Sequence, residues 1–180
     1  MCKILLCLVM LPLLSLAEAQ NSCMFRLLRN PGEIKIKPEN AERIKSIGFS
    51  YKTTDIIVET YDNRRVVLAT KQVWGYQEKD CAIYRNFNAR FFKIEQAGEM
   101  IIYSVQAKGF KSQVITTYYF SKSVNTAVFL LNKENLFEQF KTNACFLEKL
   151  KQRFKSPFDY VYWNKKGRSF EIIDMLHVCK

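Results

Sequence analysis

From Phe49 to Leu131 apolar and polar residues alternate with period two, the spacing that lays one face of a strand on a core. Thr54 to Tyr61 is rich in β-branched residues, Asp62-Asn63 suits a tight left-handed turn, and Arg65 to Lys71 follows with Val66, Leu68 and Thr70 facing one way. Val73-Trp74-Gly75-Tyr76 continues extended, and its glycine predicts a bulge or a close backbone approach. Glu78-Lys79-Asp80 turns the chain into strands over Cys81 to Asn86 and Arg90 to Glu95, joined through Phe87-Asn88. Gln96-Ala97-Gly98 turns it again before Met100 to Val105, Val114 to Phe120 and Ala127 to Leu131. Turns recurring at roughly 8–12 residues indicate an antiparallel β-meander, barrel-like or sandwich-like.

The flanks differ. Asn30-Pro31-Gly32 is a turn, Glu33 to Lys37 alternates as a short strand that Pro38 stops, and Glu39 to Ile47 suits a brief helix. After Leu131 the period becomes helical. Asn132 is an N-cap for Lys133 to Lys141, with Leu136, Phe137 and Phe140 as its apolar stripe. Asn143 caps a second helix to Phe154, which gathers Phe146, Leu147, Leu150 and Phe154 on one face. Pro157 separates it from an aromatic stretch ending at Trp163 that has no clear period, and Ser169 is placed to cap a last helix through Val178. The fold class is therefore α+β: a β-meander followed by C-terminal helices.

The N-terminus carries a different signal. Lys3, a predominantly apolar run from Ile4 to Leu16, and Ala17-Glu18-Ala19 follow the order of a secretory signal peptide with cleavage at about Ala19. The run is shorter than the roughly 20 apolar residues that span a bilayer. Residues 1–19 are thus a signal, and residues 20–180 form a single β-rich domain with a C-terminal helical segment. No later apolar run approaches membrane length, so the mature chain has no stable span. Export predicts a periplasmic or extracellular location. Of six cysteines, Cys23, Cys81, Cys145 and Cys179 survive cleavage, an even number where disulfides persist. Three pairings are open, as are four buried thiols. Cys145 with Cys179 joins two helical segments, and Cys23 with Cys81 would tie the N-terminal arm to the sheet.

Charge narrows the partners only broadly. The formal net charge is +11, and Lys3 and Glu18 cancel, so cleavage does not change it. Such a balance favours anionic surfaces: glycans, lipid headgroups or nucleic acid. The excess is densest in Lys141 to Arg168, where eight cations face only Glu148 and Asp159. Lys149, Lys151, Arg153, Lys155, Lys165, Lys166 and Arg168 are candidate anion-binding residues, and Tyr160, Tyr162 and Trp163 among them are candidate stacking residues. The competing reading buries those aromatics in a helix–sheet core and leaves the lysines solvated.

Catalytic constellations are sparse. The single histidine, His177, excludes a two-histidine ribonuclease site and zinc sites built on two or more histidines. The chain has no Gly-rich phosphate loop, nucleophile elbow, HExxH or paired CxxC. His177 with Cys81 or Cys145 would make a nucleophilic pair only if the thiol stayed free. Glu134 and Glu138, one helical turn apart, read as a solvated face. No catalytic, cofactor-binding or metal-ligating residue is assigned.

Val73-Trp74-Gly75-Tyr76, Ala82-Ile83-Tyr84-Arg85 and Met100-Ile101-Ile102-Tyr103-Ser104 together resemble a WGY…YR…IYS pattern of small exported Bacteroidota proteins. Tyr118 to Lys122 and Leu131 to Leu136 resemble the same group's aromatic strand and following helix, so the similarity covers about residues 54–142. The group is functionally uncharacterised. The resemblance implies a diderm source and an envelope or secreted location, and it carries over no active residues. Four mature cysteines are not a feature of the group. The function expected from the sequence is an exported non-catalytic module of the envelope or secreted space with a binding or structural role, its specific function not fixed by the sequence; its candidate partners are an anionic surface polymer or another envelope protein. The alternatives are a dedicated polyanion binder and an enzyme acting on an envelope polymer through carboxylates the sequence does not locate.

Overall fold

A computed structural model describes residues 23–35, 44–50, 55–156 and 160–180. The signal segment lies outside the described residues, as do most of the Glu39 to Ile47 helix and the Pro157 boundary. The main element is an open seven-stranded sheet in the order β1-β5-β6-β7-β8-β9-β10. Its strands are β1 (Arg26–Leu28), β5 (Gly75–Gln77), β6 (Ile83–Phe87), β7 (Arg90–Ala97), β8 (Ile101–Lys108), β9 (Val114–Ser121) and β10 (Phe129–Leu130). All neighbours are antiparallel, and β5 to β10 run in chain order, so the meander holds. β1 and β10 are the edges of an open sheet; the order does not close into a barrel.

A second sheet of β2 (Ile44–Phe49), β3 (Asp55–Thr60) and β4 (Arg65–Ala69) packs on one end of this sheet. Ile44, Ile56, Val58 and Val73 are buried there against Phe25, Leu27 and Phe91, which makes that end sandwich-like. Two flank expectations need correction. Pro31–Lys35 is a 3-10 turn rather than part of a strand, because Glu33 folds back to accept hydrogen bonds from the Arg29 amide and Asn30. Ile44 to Ile47 is strand, not helix, because pairing with β3 wins over a weak helical pattern.

The helices are α1 (Lys133–Gln139), α2 (Ala144–Arg153) and α3 (Glu171–Val178). Asn132 and Asn143 cap the first two, accepting hydrogen bonds from Asn135 N and Phe146 N. Ser169 does not cap α3. It lies in β12 (Ser169–Phe170), paired with β11 (Trp163–Asn164), and donates to Asp174 at 2.6 and 2.7 Å. The helices cover the β8–β9 end of the sheet, burying Met100, Ile102, Phe120, Leu136, Phe146, Leu150 and Ile172 in the largest core. A third cluster, Phe92, Ile101 and Tyr103, lies on the opposite face under Val124 and Val128.

Two disulfides staple these layers. Cys23–Cys81 fastens the N-terminal arm to the β5–β6 turn, and Cys145–Cys179 joins the start of α2 to the end of α3. With sequence separations of 58 and 34, each bridge restricts the unfolded chain by about 4 kcal/mol in the loop-entropy treatment. With their sulfurs bonded, neither Cys81 nor Cys145 is a nucleophile for His177. His177 itself is exposed, with Nδ1 3.3 Å from Glu99.

Candidate binding site

The basic C-terminal segment forms a small hairpin, β11–β12, braced between the main sheet and α3. Asn164 builds its turn: the side-chain oxygen accepts from Lys166 N and Gly167 N, both at 3.1 Å, and Nδ2 donates to Asp174. A Cβ at Gly167 would meet Asn164 Nδ2 at 2.8 Å and Ser169 Oγ at 3.0 Å, so a side chain there would have to displace groups that hold the turn. Arg168 follows in the left-handed region with φ 51°. The hairpin is anchored from outside by Phe170 N donating to Gln96 Oε1 at 2.8 Å and Glu171 N donating to Tyr162 O at 3.0 Å. The turn that carries Lys165, Lys166 and Arg168 is therefore held by side chains of two other elements.

The structure divides the candidate aromatics. Tyr160 is 3 % exposed and packs edge-on against Phe154, so it belongs to the core and is withdrawn as a stacking residue. Tyr162 and Trp163 stay exposed at 55 % and 43 %. Trp163 leans edge-on against Phe170, ring centroids 5.1 Å apart, which fixes its plane while leaving much of its surface in solvent. Over Tyr162 sits the Arg153 guanidinium, 5.4 Å from the ring centroid. A two-bond pair to Glu171, Nε–Oε1 2.7 Å and Nη2–Oε2 3.0 Å, orients it.

The candidate cations also separate. Lys149 is one helical turn before Arg153 on α2 and shares its side of the helix. Lys151 turns toward α1, its ammonium 5.7 Å over the Phe137 ring. Lys155 is exposed just beyond the helix. Arg153 thus lies over Tyr162, Lys165, Lys166 and Arg168 stand on the turn that follows Trp163, and Lys151 lies over Phe137 instead. Arg153 is a positioning group, since part of its charge is answered by Glu171.

A second polar feature was not read from the sequence. Pairing across five strands sets Tyr76, Tyr84, Lys93, Ser104 and Tyr118 in one transverse row. Tyr76 and Tyr84 stack at 4.6 Å and 4°. Burial and then the neighbouring Glu78 push the Tyr84 phenol up to about 12. Burial, and after it Asp80, raises the Glu78 carboxyl above its ordinary range. Glu95 accepts from Ser104 at 2.5 Å and pairs with Lys93 at 3.3 Å, so it is occupied in holding the row. The pairing that assembles this row spans residues 76 to 118, and only strand registers could have revealed it.

Comparison of the chain with family models, with curated proteins and with solved structures returned no match.

Proposed function

We propose that the protein is an exported, non-catalytic binding module that holds an anionic polymer on the β11–β12 hairpin. The carrying observation is the pair of exposed aromatics, Tyr162 and Trp163, set beside a braced turn of Lys165, Lys166 and Arg168. Aromatic faces stack on sugar rings or bases while cations engage the attached anionic groups. A pre-ordered turn lowers the entropy that binding would otherwise cost. Two disulfides support an oxidising compartment outside the cytosol. The Bacteroidota resemblance points the same way and suggests the envelope as the source of the ligand.

Retention on a heparin column, read as the eluting salt concentration, tests the proposal. Reversing Lys165, Lys166 and Arg168 together to Glu should elute the protein at distinctly lower salt. Tyr162→Ala with Trp163→Ala should weaken binding to a sulfated oligosaccharide while leaving most of the salt dependence, because counterion release counts cations and not rings. Reversal of Lys151 alone should matter little. Unchanged retention after the triple reversal would remove the proposal.

A further inference from the structure

The β8–β9 ribbon outgrows its sheet. β8 and β9 pair from Ile101↔Ser121 to Lys108↔Val114. The ladder of β7 to β8 ends at Lys93↔Ser104, and β10 pairs with Tyr119 and Phe120, with Leu131 N adding one bond to Tyr118 O. Among the described residues, 105–108 and 114–117 therefore pair only with each other. Both faces of this projection are exposed from residue 106 to 116, apart from a half-covered Gly109.

Its composition is unusual for a solvated turn. Phe110 is 84 % exposed, Val114 58 % and Ile115 51 %. The turn is ordered: Gly109 N donates to Gln113 O at 2.7 Å, and Lys111 and Ser112 both hold positive φ, 54° and 62°. Lys108 and Lys111 flank the aromatic, the Lys111 ammonium 5.5 Å over its ring. No acidic residue occurs between Glu99 and Glu134. A convex, narrow, apolar tip collared only by cations has the shape and charge to enter an anionic lipid interface, where apolar groups sink about 5–10 Å and lysines meet headgroups.

We infer that the β8–β9 hairpin is a membrane-docking wedge, Phe110, Val114 and Ile115 entering the acyl boundary of an anionic leaflet and Lys108 and Lys111 seated among its headgroups. This site is separate from the β11–β12 hairpin and does not depend on it. The wedge would hold the domain at a bilayer surface without a span.

Co-sedimentation of the purified protein with vesicles tests it, comparing phosphatidylcholine alone with phosphatidylcholine containing phosphatidylglycerol. Binding should require the anionic lipid. Phe110→Ser with Ile115→Ser should weaken it roughly ten- to hundredfold, the loss expected from one or two large apolar contacts. Lys108→Glu with Lys111→Glu should weaken it and flatten its salt dependence. The Lys165/Lys166/Arg168 reversal should leave most vesicle binding intact, which separates this wedge from the polyanion site. The substituted side chains are solvent-exposed, so an unchanged far-UV spectrum keeps a loss of binding attributable to the tip. Phe110→Trp should shift emission to the blue on adding vesicles, beyond any change in the wild type. Three results would overturn the inference: no vesicle binding, binding indifferent to Phe110, or Phe110-dependent self-association in light scattering without vesicle binding, which would assign the tip to a second copy.

Discussion

Arg85 offers the sharpest test of how this fold is held. It sits on β6, 4 % exposed, on the sheet face opposite the helices. Nη1 donates to Tyr103 Oη at 2.7 Å and to Ser121 Oγ at 3.2 Å, and Nη2 donates to Thr126 O at 2.7 Å. The guanidinium lies 5.6 Å from the Phe87 ring centroid and 5.8 Å from that of Tyr103. No carboxylate pairs with it among the described residues. A guanidinium stays charged at any working pH, so the charge is stabilised only by dipoles and ring faces. What it gains is a tie: one planar fork fastens β8, β9 and the 121–126 loop to β6.

Replacing it separates charge from geometry. Arg85→Met keeps the stem but leaves Thr126 O without this donor and removes the charged bond to Tyr103. Each loss is worth about 1–3 kcal/mol, partly offset because a buried cation no longer needs desolvating, so a net cost of about 2–4 kcal/mol follows. Arg85→Lys keeps the charge but offers a single nitrogen, which cannot span Tyr103 and Thr126 as two nitrogens do, so it should destabilise at least as much. Urea denaturation followed by far-UV circular dichroism would measure both, and the melting temperature should fall by roughly 5–15 °C. Amide exchange should accelerate first in residues 121–128. If Arg85→Met were as stable as the wild type, with the loop still protected, the fork would not be the tie argued here.

Other expectations follow from single contacts. Gly75→Ala would place a Cβ 2.2 Å from Tyr84 O, a clash with backbone, so the β5–β6 pair must part; thermal denaturation should show a loss above about 2 kcal/mol, against about zero or a slight gain at an accommodating glycine. Glu99 is held below its ordinary value of 4.5, chiefly by the Lys180 hydrogen bond and then by His177. Because its folded value is the lower one, the stability it contributes is complete above about 4.5 and is lost as pH falls through the folded value. Glu99→Gln should therefore lower the melting temperature slightly near neutrality, where that contribution is complete, and change little well below pH 4.5, so that the acid limb of the profile flattens.

How much of this was legible follows from the range of each interaction. The meander was visible because a strand's period, a left-handed Asn63 and a crowded Gly75 are local facts. Asn63 does adopt φ 61°, and Gly75 does lie against the β6 backbone. The two helix caps were legible for the same reason, each asparagine bonding an amide three residues on. Ser169 misled because a serine before an apolar run has two local options, and Asp174 captured its hydroxyl for the hairpin. The candidate site was legible as a basic, aromatic segment but not as a surface. Tyr160 and Tyr162 are only two residues apart, yet one meets Phe154 in the core and the other meets Arg153 in solvent. Arg85 and the Tyr76 to Tyr118 row were hidden altogether, since partners 18 to 41 residues away for Arg85 are set by strand register and loop closure. The docking tip was hidden in a different way. Nothing in the sequence pattern marks Phe110, which falls between two strands; only its place at the β8–β9 turn, 84 % exposed, shows it as a surface aromatic.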